Sequence, residues 1–428
     1  VSILAWGELG GGMTGVVFLQ GPHGPFFARC ARYFSACGIA THKINFNGGD
    51  RFFAWADHQV DYTGGRASWP EYFAGYLRQH DIHSVVVYGD CREYHREARA
   101  ICDQLGVAFW VFEEGYLRPD FVTLEQGGVN GFSLTDWTPE TVRRYQPHNR
   151  SANVHIGRTF WQRAYFAVAY YISARIAQRE FPHYRHHRPR NWLQEGICWL
   201  KSGYRKGVYK LTQRKYLRAL TERHSGEFYL YALQTQDDFQ IREHSSYSGI
   251  EDSIGEVVRS FAEGAAQNEL LVIKHHPMDR GFCHYGSLIE KLARAHGVSG
   301  RIVYCHDLHL PTLLDHAKGL ITINSTVGIS ALLHGVPTIT LGRGLYDQRG
   351  LTHQGKLDDF WQSAQPVDNG LFEAFRTYLY EQTQLDGSFF RNLDHAVALA
   401  WVRMSPSLVA DIESDVPEVA DEKEYAAA

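Results

Sequence analysis

Two rhythms of apolar residues alternate along the chain. Unbroken apolar runs such as "VVFLQ" (16–20), "SVVVYGD" (84–90) and "VAFWVFEEG" (107–115) predict buried strands. "THKINFN" (41–47) predicts another, closed by Gly48 and Gly49. Between them, Phe26 to Cys37, "WPEYFAGYLRQH" with Pro70 in its first turn, and "REYHREARAICDQLG" stopped by Gly106 keep helical spacing. The same alternation returns after residue 226. "EFYLYALQT", "ELLVIKHHP", "GRIVYC", "GLITINST" and "VPTITLG" read as strands there. "IEDSIGEVVRSFAEGAAQ", "YGSLIEKLARAHG", "LPTLLDHAK" and "VGISALLHG" read as helices.

Apolar strands separated by helices predict parallel sheets covered on both faces. The fold class is therefore α/β, with two Rossmann-like, doubly wound domains facing a cleft. The expected boundaries are 14–150 and 226–380, with a helical basic segment at 151–225 between them. Residues 381–428 are expected to form a helix ("FRNLDHAVALAWVRM") packing back on the first domain, then a frayed acidic tail. Ligands in open α/β sheets sit beyond the carboxyl ends of strands, so motifs at those ends are the candidates.

Composition narrows the class. The 428 residues, 44% apolar and 21% charged, suit two or three ordinary domains of roughly 150 residues each. Seven scattered cysteines with no CxxC pair point to a reducing compartment, not a disulfide scaffold or zinc ribbon. The opening "VSILAWGELGGGM" lacks a basic region and a long apolar stretch, so no signal peptide is expected. The net charge of -4 hides an asymmetry: residues 151–223 hold 15 Lys or Arg against three acids, about +12. Such a block points to an anionic partner. Within it, "FWQRAYFAVAYYISARIA" (160–177) is aromatic and apolar, but Arg163 and Arg175 bracket only eleven uncharged residues. A spanning helix needs about 20, so an interfacial helix is expected over a transmembrane one. A buried helix with a basic outer surface is the plainer alternative.

Several strand ends carry candidate chemistry. "VIKHHPMD" (272–279) presents Lys274, His275 and His276 before Pro277 turns the chain away. Lysine brings charge and imidazole a directional donor, which suits a phosphate. A surface histidine pair beside a turn would leave the same trace. "ITINSTVGISALLHGVP" (321–337) runs through Asn324, Ser325 and Thr326 into a helix, an anion site or a plain N-cap. No Walker motif, GxGxxG fingerprint or G-x-S-x-G elbow is present, which disfavours an NTPase, a dehydrogenase and an α/β-hydrolase. "LQGP" with Gly21, and "YGDCREYH" with Asp90 and Arg92, end two strands of the first domain. Asp90 serves equally well as a helix cap. "VFEEGYLRPD" (111–120) sets Glu113 and Glu114 side by side. Adjacent carboxylates repel unless something uses or compensates them. A turn cap is the plain alternative. Arg92 or Arg118 is suited to grip a sugar carboxylate with its planar fork. His244 and Ser245 in "QIREHSSY" fit either the cleft or a solvated turn. "HYRHH" (183–187) has no cysteine or acid beside it and reads as a solvated basic face, not a zinc site.

Taken together, "FLQGP", "INFNGGD", "YGDCREYH", "FEEGYLRPDFVTLEQGGVNG", "KHHP" and "NSTVGISALLHGVPTITLG" resemble the bacterial capsule polysaccharide Kdo transferases over most of residues 16–345. The nearest type is the single-module enzyme that begins a lipid-linked β-Kdo linker. The resemblance implies a GT-B-like fold, CMP-β-Kdo as donor, a lysophosphatidylglycerol acceptor and retention at the anomeric carbon. It implies no cofactor and no metal. It assigns the first domain to the sugar and acceptor, and the second to CMP. In two-module relatives the matching motif reads Glu-Asp-Gly, with the aspartate as proposed nucleophile. Glu114 takes that position here, one methylene longer, with Glu113 as the fallback and Asp90 beside them. Lys274, His276, Ser325 and Thr326 match the part that holds the CMP phosphate. The implied location is the cytoplasmic face of the inner membrane, met through residues 158–218, with other capsule proteins as further partners. A sialyltransferase-like enzyme and a silent scaffold of capsule assembly are the rival readings. Nucleic-acid binding is the weakest, because no known binding module is present.

Overall fold

The computed structural model describes residues 14–148, 155–185, 192–236 and 238–405. Two sheets organise it. The strands of the first are β1 (Gly15–Phe18), β2 (Ala40–Asn45), β3 (His58–Asp61), β4 (Ser84–Tyr88), β5 (Ala108–Glu114) and β6 (Phe121–Gln126). The second holds β7 (Phe228–Ala232), β8 (Leu270–Lys274), β9 (Ile302–Cys305), β10 (Gly319–Thr322) and β11 (Thr338–Thr340). A last strand, β12 (Gln384–Asp386), returns to the first sheet.

The first sheet runs β12-β6-β5-β4-β1-β2-β3 and the second β11-β10-β7-β8-β9. In the first, the chain leaves β1 toward β2 and β3, then comes back to β4 on β1's other side. In the second, β7 has the same role between β8 and β10. Each sheet therefore has one point where the winding reverses, and the carboxyl ends there form a natural crevice. In the first sheet that crevice lies beside Gln20 and Gly89. In the second it lies between Gln234 and Asn324, whose side-chain amides face each other: Gln234 Nε2 donates to Asn324 Oδ1 at 2.8 Å.

The GT-B-like, doubly wound class is present, with one correction to detail. The first sheet is not purely parallel, because β6 folds back antiparallel on β5 and β12 pairs antiparallel with β6. "FVTLEQ" buries its four central residues and ends at two glycines, and no strand was expected there. Antiparallel edge strands of this kind are common on doubly wound sheets. The crossover back to the first domain also falls earlier than residue 380. Leu371, Phe372, Phe375 and Leu379, on helix Asn369–Thr383, are already buried in the first domain's core with Val85, Val111 and Trp137. Helix Leu393–Met404 packs Ala396, Ala400 and Trp401 against Phe34 on the other face. The acidic tail beyond residue 405 lies outside the described residues.

Two helices of the basic segment matter for the site. Helix Phe160–Ile176 crosses the short helix Gly48–Phe52 at backbone contact. A Cβ on Gly48 would lie 2.4 Å from the Ser173 carbonyl oxygen, and one on Gly49 2.7 Å from the Tyr170 ring. The paired glycines of "INFNGGD" thus permit this crossing. Helix Trp192–Thr212 docks on the second domain instead: Tyr209 stacks on His306 with ring centroids 3.9 Å apart, and Arg205 donates to the Arg280 carbonyl at 2.7 Å.

Candidate active site

Glu113 and Glu114 end β5, where the sheet's pleat sends neighbouring side chains to opposite faces. Glu114 meets Arg163 of helix Phe160–Ile176, with the guanidinium 3.1 Å from Oε1. The Tyr88 hydroxyl lies 3.5 Å from the same oxygen. Among the described residues Glu113 has no cation at contact distance. It accepts a hydrogen bond from the Glu114 amide at 2.9 Å. Burial, then the charges of Glu114 and Asp90, push its carboxyl up to about 7. The two carboxylates therefore have different electrostatic surroundings, an arrangement that can separate acid–base from ionic roles.

The rest of the motif explains its own shape. Tyr116 donates to Glu125 Oε1 at 2.7 Å and accepts from the Asn130 amide at 2.6 Å, knitting the hairpin after the carboxylates. Arg118 is exposed beyond Gly115, whose carbonyl it contacts at 3.3 Å. Asp90 does not cap the following helix. Its carboxylate accepts from the Val129 amide at 3.0 Å and the Cys91 thiol at 3.3 Å, and burial raises its pKa. Arg92 lies over the Tyr88 ring, 5.5 Å from its centroid. Gly21 is required sterically, since a Cβ there would sit 2.8 Å from the Phe27 ring.

A buried polar cluster beside Gly21 was not singled out from the sequence. Asp50 accepts from Gln20 at 3.1 Å, the Phe46 amide at 3.0 Å and the Tyr170 hydroxyl at 2.9 Å. Asn47 donates to Tyr170 at 2.7 Å and caps the short helix through Gly49 and Asp50. Lys43 donates to the Leu19 and Ile44 carbonyls at 2.8 and 2.9 Å, and burial brings its pKa down to about 8. The signal was a run of polar residues, "INFNGGD", at a strand end. Its partner Tyr170 is 120 residues away from Asp50 in sequence.

In the second domain, Lys274 is buried and donates to the His306 carbonyl at 3.3 Å. Burial lowers its pKa. His276 accepts the Met278 amide on Nδ1 at 3.3 Å, which leaves Nε2 to carry the hydrogen outward. Burial, then Lys274, His275, Arg118 and Arg280, push its pKa down to about 4. The imidazole is thus held in its neutral form. His275 faces inward: Nδ1 lies 2.8 Å from the Tyr304 hydroxyl, and the ring packs with Tyr285 and His306. Asn324 is engaged with Gln234. Ser325 Oγ accepts the Val327 amide at 3.3 Å, and Thr326 begins helix Val327–Leu333 without a side-chain cap bond.

The domains meet through charge and ring contacts. Arg96 pairs with Glu243 at 2.6 Å. His244 packs edge-on against Phe132 at 4.3 Å, and its lowered pKa reflects that burial. Ser245 is taken up locally, donating to the Ile241 carbonyl at 2.5 Å. Among the described residues no group of three His, Cys, Asp or Glu side chains gathers as a metal site. His186 and His187 of "HYRHH" lie outside the described residues.

The family model described as "Capsule polysaccharide biosynthesis protein" matches residues 83–390. The capsule polysaccharide export protein KpsS of Escherichia coli is 41% identical over 382 residues, covering 87% of this chain and 96% of that protein. The capsule polysaccharide modification protein LipB of Neisseria meningitidis serogroup B is 37% identical over 382 residues, covering 88% and 91%. Among solved structures, a β-Kdo 2,7 transferase of Thermosulfurimonas dismutans, KpsC, aligns over 86% of this chain and 99% of its own, at 12% identity and a TM-score of 0.39. The chain belongs to the capsule polysaccharide biosynthesis protein family.

Proposed function

We propose that this chain is a retaining glycosyltransferase that moves Kdo from CMP-β-Kdo to a lysophosphatidylglycerol acceptor at a membrane face. The observation that carries the reading is the interdomain contact beside these motifs, where Arg96, on the helix after Asp90, pairs with Glu243 at 2.6 Å and His244 packs on Phe132. It supports a reading in which a carboxylate pair suited to the sugar and a Lys–His pair suited to a phosphate serve one cleft. Membership of a capsule biosynthesis family supports the same reading.

In this scheme the Glu114 carboxylate forms a bond to the anomeric carbon while the bond to the CMP phosphate breaks and CMP leaves with its electron pair. Lys274 and the Nε2–H of His276 stabilise the charge that develops on that phosphate. The acceptor hydroxyl then displaces Glu114, restoring the original configuration. Its proton goes to a base, and Glu113, pushed up to about 7, is poised to take it near neutral pH. The donor needs no cofactor for this chemistry.

The membrane side of the reading rests on two helices that wear their apolar residues outward. Trp161, Tyr165, Val168, Ile172 and Ile176 share one face of helix Phe160–Ile176, and each is more than half exposed. Ile197, Leu200, Tyr204 and Leu211 do the same on helix Trp192–Thr212. Their inward faces are held by Tyr170 and by Ser202 and Tyr209 respectively. Apolar stripes flanked by arginine and lysine suit an anionic bilayer surface. No described helix is long and apolar enough to cross a membrane.

The test is incubation with CMP-Kdo and a lysophosphatidylglycerol analogue, followed by mass spectrometry, with CMP-sialic acid as a competing donor. One added Kdo, undiminished by the competitor, is expected. Transfer of sialic acid, or no transfer from either donor, would remove the reading.

A further inference from the structure

Arg163 lies two helical turns before Tyr170, on the inward side of a helix whose outward side is the apolar stripe. It is held in place from two directions. Its guanidinium pairs with Glu114 at 3.1 Å and lies over the Phe390 ring, 5.2 Å from the centroid. Even so, its side chain remains half exposed. Beside the pair is a cavity of about 180 Å3, lined by Glu114, Arg118, Thr159, Arg163, Ser388 and Phe390 among others. That is below the roughly 300 Å3 of pockets that enclose whole drug-sized ligands. It suits a headgroup and not acyl chains.

The lining holds two arginines and two acids, so its formal charges balance, but its cations are not all spent. Arg163 pairs with Glu114, whereas among the described residues Arg118 meets a backbone carbonyl and no carboxylate within 4 Å. Asp120, the other acid of the lining, is engaged by the Ile156 amide at 3.0 Å and His155 at 3.1 Å. A further anion is therefore favoured, and a planar guanidinium takes phosphate oxygens through parallel hydrogen bonds. Trp161 and Tyr165 stand on the other side of the same helix turn, exposed to 78% and 67%. An amphiphile whose chain lies along that stripe has its polar end within one helix width of the cavity.

We propose that this cavity is the seat of a phospholipid phosphate, and that Arg163 exchanges its Glu114 partner for that phosphate when the lipid arrives. The exchange releases Glu114 and sets the hydroxyl-bearing end of the headgroup beside it. Arg163 thus couples acceptor binding to the freedom of the carboxylate. The inference rests on the acceptor reading above and locates its anionic group.

Binding separates it from that reading. The full chain is titrated by calorimetry with monomeric dihexanoyl phosphatidylglycerol, with dihexanoylglycerol as the neutral control and glycerol phosphate as the chain-free control. Arg163→Gln is expected to weaken the phospholipid about tenfold or more, the loss of a charge-assisted contact. Arg163→Lys should fall between. Glu114→Gln should bind it more tightly than wild type, because the competing carboxylate is gone, and a merely structural Arg163 would not produce that gain. Neutral lipid should be weak and indifferent to Arg163. CMP affinity of each variant serves as the fold control. Phospholipid binding by Arg163→Gln within twofold of wild type overturns the proposal, as does glycerol phosphate binding as tightly as the lipid. Kdo transfer by wild type is measured in parallel. Transfer with unaltered binding in Arg163→Gln removes this site alone. Arg163-dependent binding without any transfer removes the transferase reading alone.

Discussion

Glu113 and Glu114 leave one strand on opposite faces, and among the described residues only Glu114 has a cation at contact distance, Arg163 at 3.1 Å. The chain thereby resolves the repulsion between neighbouring carboxylates in two ways. One is compensated by a guanidinium, and the other is pushed toward its neutral form by desolvation.

That difference has a stability consequence. Glu113 is raised from 4.5 in a free chain to about 7 in the fold. Between those values the folded protein binds the extra proton, so stability falls as pH rises and the contribution is lost above about 7. Glu113→Gln removes the ionisation. Its stability should exceed that of wild type at pH 8, by about 3 kcal/mol at most, and should approach it near pH 4. Thermal melts at the two pH values check this. Equal offsets at both would assign Glu113 an ordinary pKa.

Gly48→Ala places a methyl carbon 2.4 Å from the Ser173 carbonyl oxygen. Backbone cannot yield as a side-chain tip does, so the helix must shift. A loss of about 1–3 kcal/mol is expected, read by denaturant unfolding. Gly38→Ala is not an equal control, because its positive φ of 86° adds strain of its own. Gly75→Ala, in open space on a helix, is the suitable one.

Much of this could be read from the chain. Apolar runs located nine of the twelve strands of the described residues to within a few residues. The segments that escaped had physical reasons. β3, "HQVD", has no buried apolar run, because it is an edge strand with two exposed positions. β12, "QLD", is three residues long and buried through hydrogen bonds, Gln384 to Thr123 at 3.0 Å among them. β6 was hidden because it follows a short hairpin connection after the Glu113–Glu114 pair, in a stretch whose glycine, arginine and proline mask the strand pattern. At the site, residue types at strand ends were legible, but orientation was not. "KHHP" does not say that His275 turns inward to Tyr304 while His276 points out. Nor does sequence spacing bring Arg163 to Glu114 or Tyr170 to Asp50, since those contacts depend on how the inserted helix crosses the glycine pair.

The outward stripes predict a specific membrane behaviour. Binding to phosphatidylglycerol vesicles should fall with salt, because basic residues act within a Debye length, but should not vanish, because apolar insertion is unscreened. Trp161→Glu with Ile172→Glu should abolish the salt-resistant part in vesicle sedimentation. Arg185→Glu should reduce only the salt-sensitive part. Arg188 and Arg190, the other basic candidates, lie outside the described residues. Full pelleting of the Trp161/Ile172 variant at high salt would place the contact elsewhere.

His276 is neutral in the fold, with its pKa near 4. A phosphate reverses the balance of charges around it and strengthens the Nε2 hydrogen bond. His276→Ala should weaken CMP binding by about 1.5–3 kcal/mol in calorimetry. His275→Ala should act on stability instead, because its ring is packed between Tyr285, Tyr304 and His306. Unchanged CMP affinity in His276→Ala would take that residue out of the donor site.

The division of labour between the two carboxylates is tested most directly by comparing Glu114→Ala with Glu113→Ala for Kdo transfer and for CMP affinity. Glu114→Ala should lose transfer about a thousandfold or more while binding CMP as wild type does, since its carboxylate acts on the sugar and not on the nucleotide. Glu113→Ala should keep measurable transfer with an altered pH profile near neutrality. In a variant slowed at the second step, intact-mass and peptide analysis should find one Kdo on Glu114. Near-normal transfer by Glu114→Ala, together with its loss in Glu113→Ala, would contradict the account.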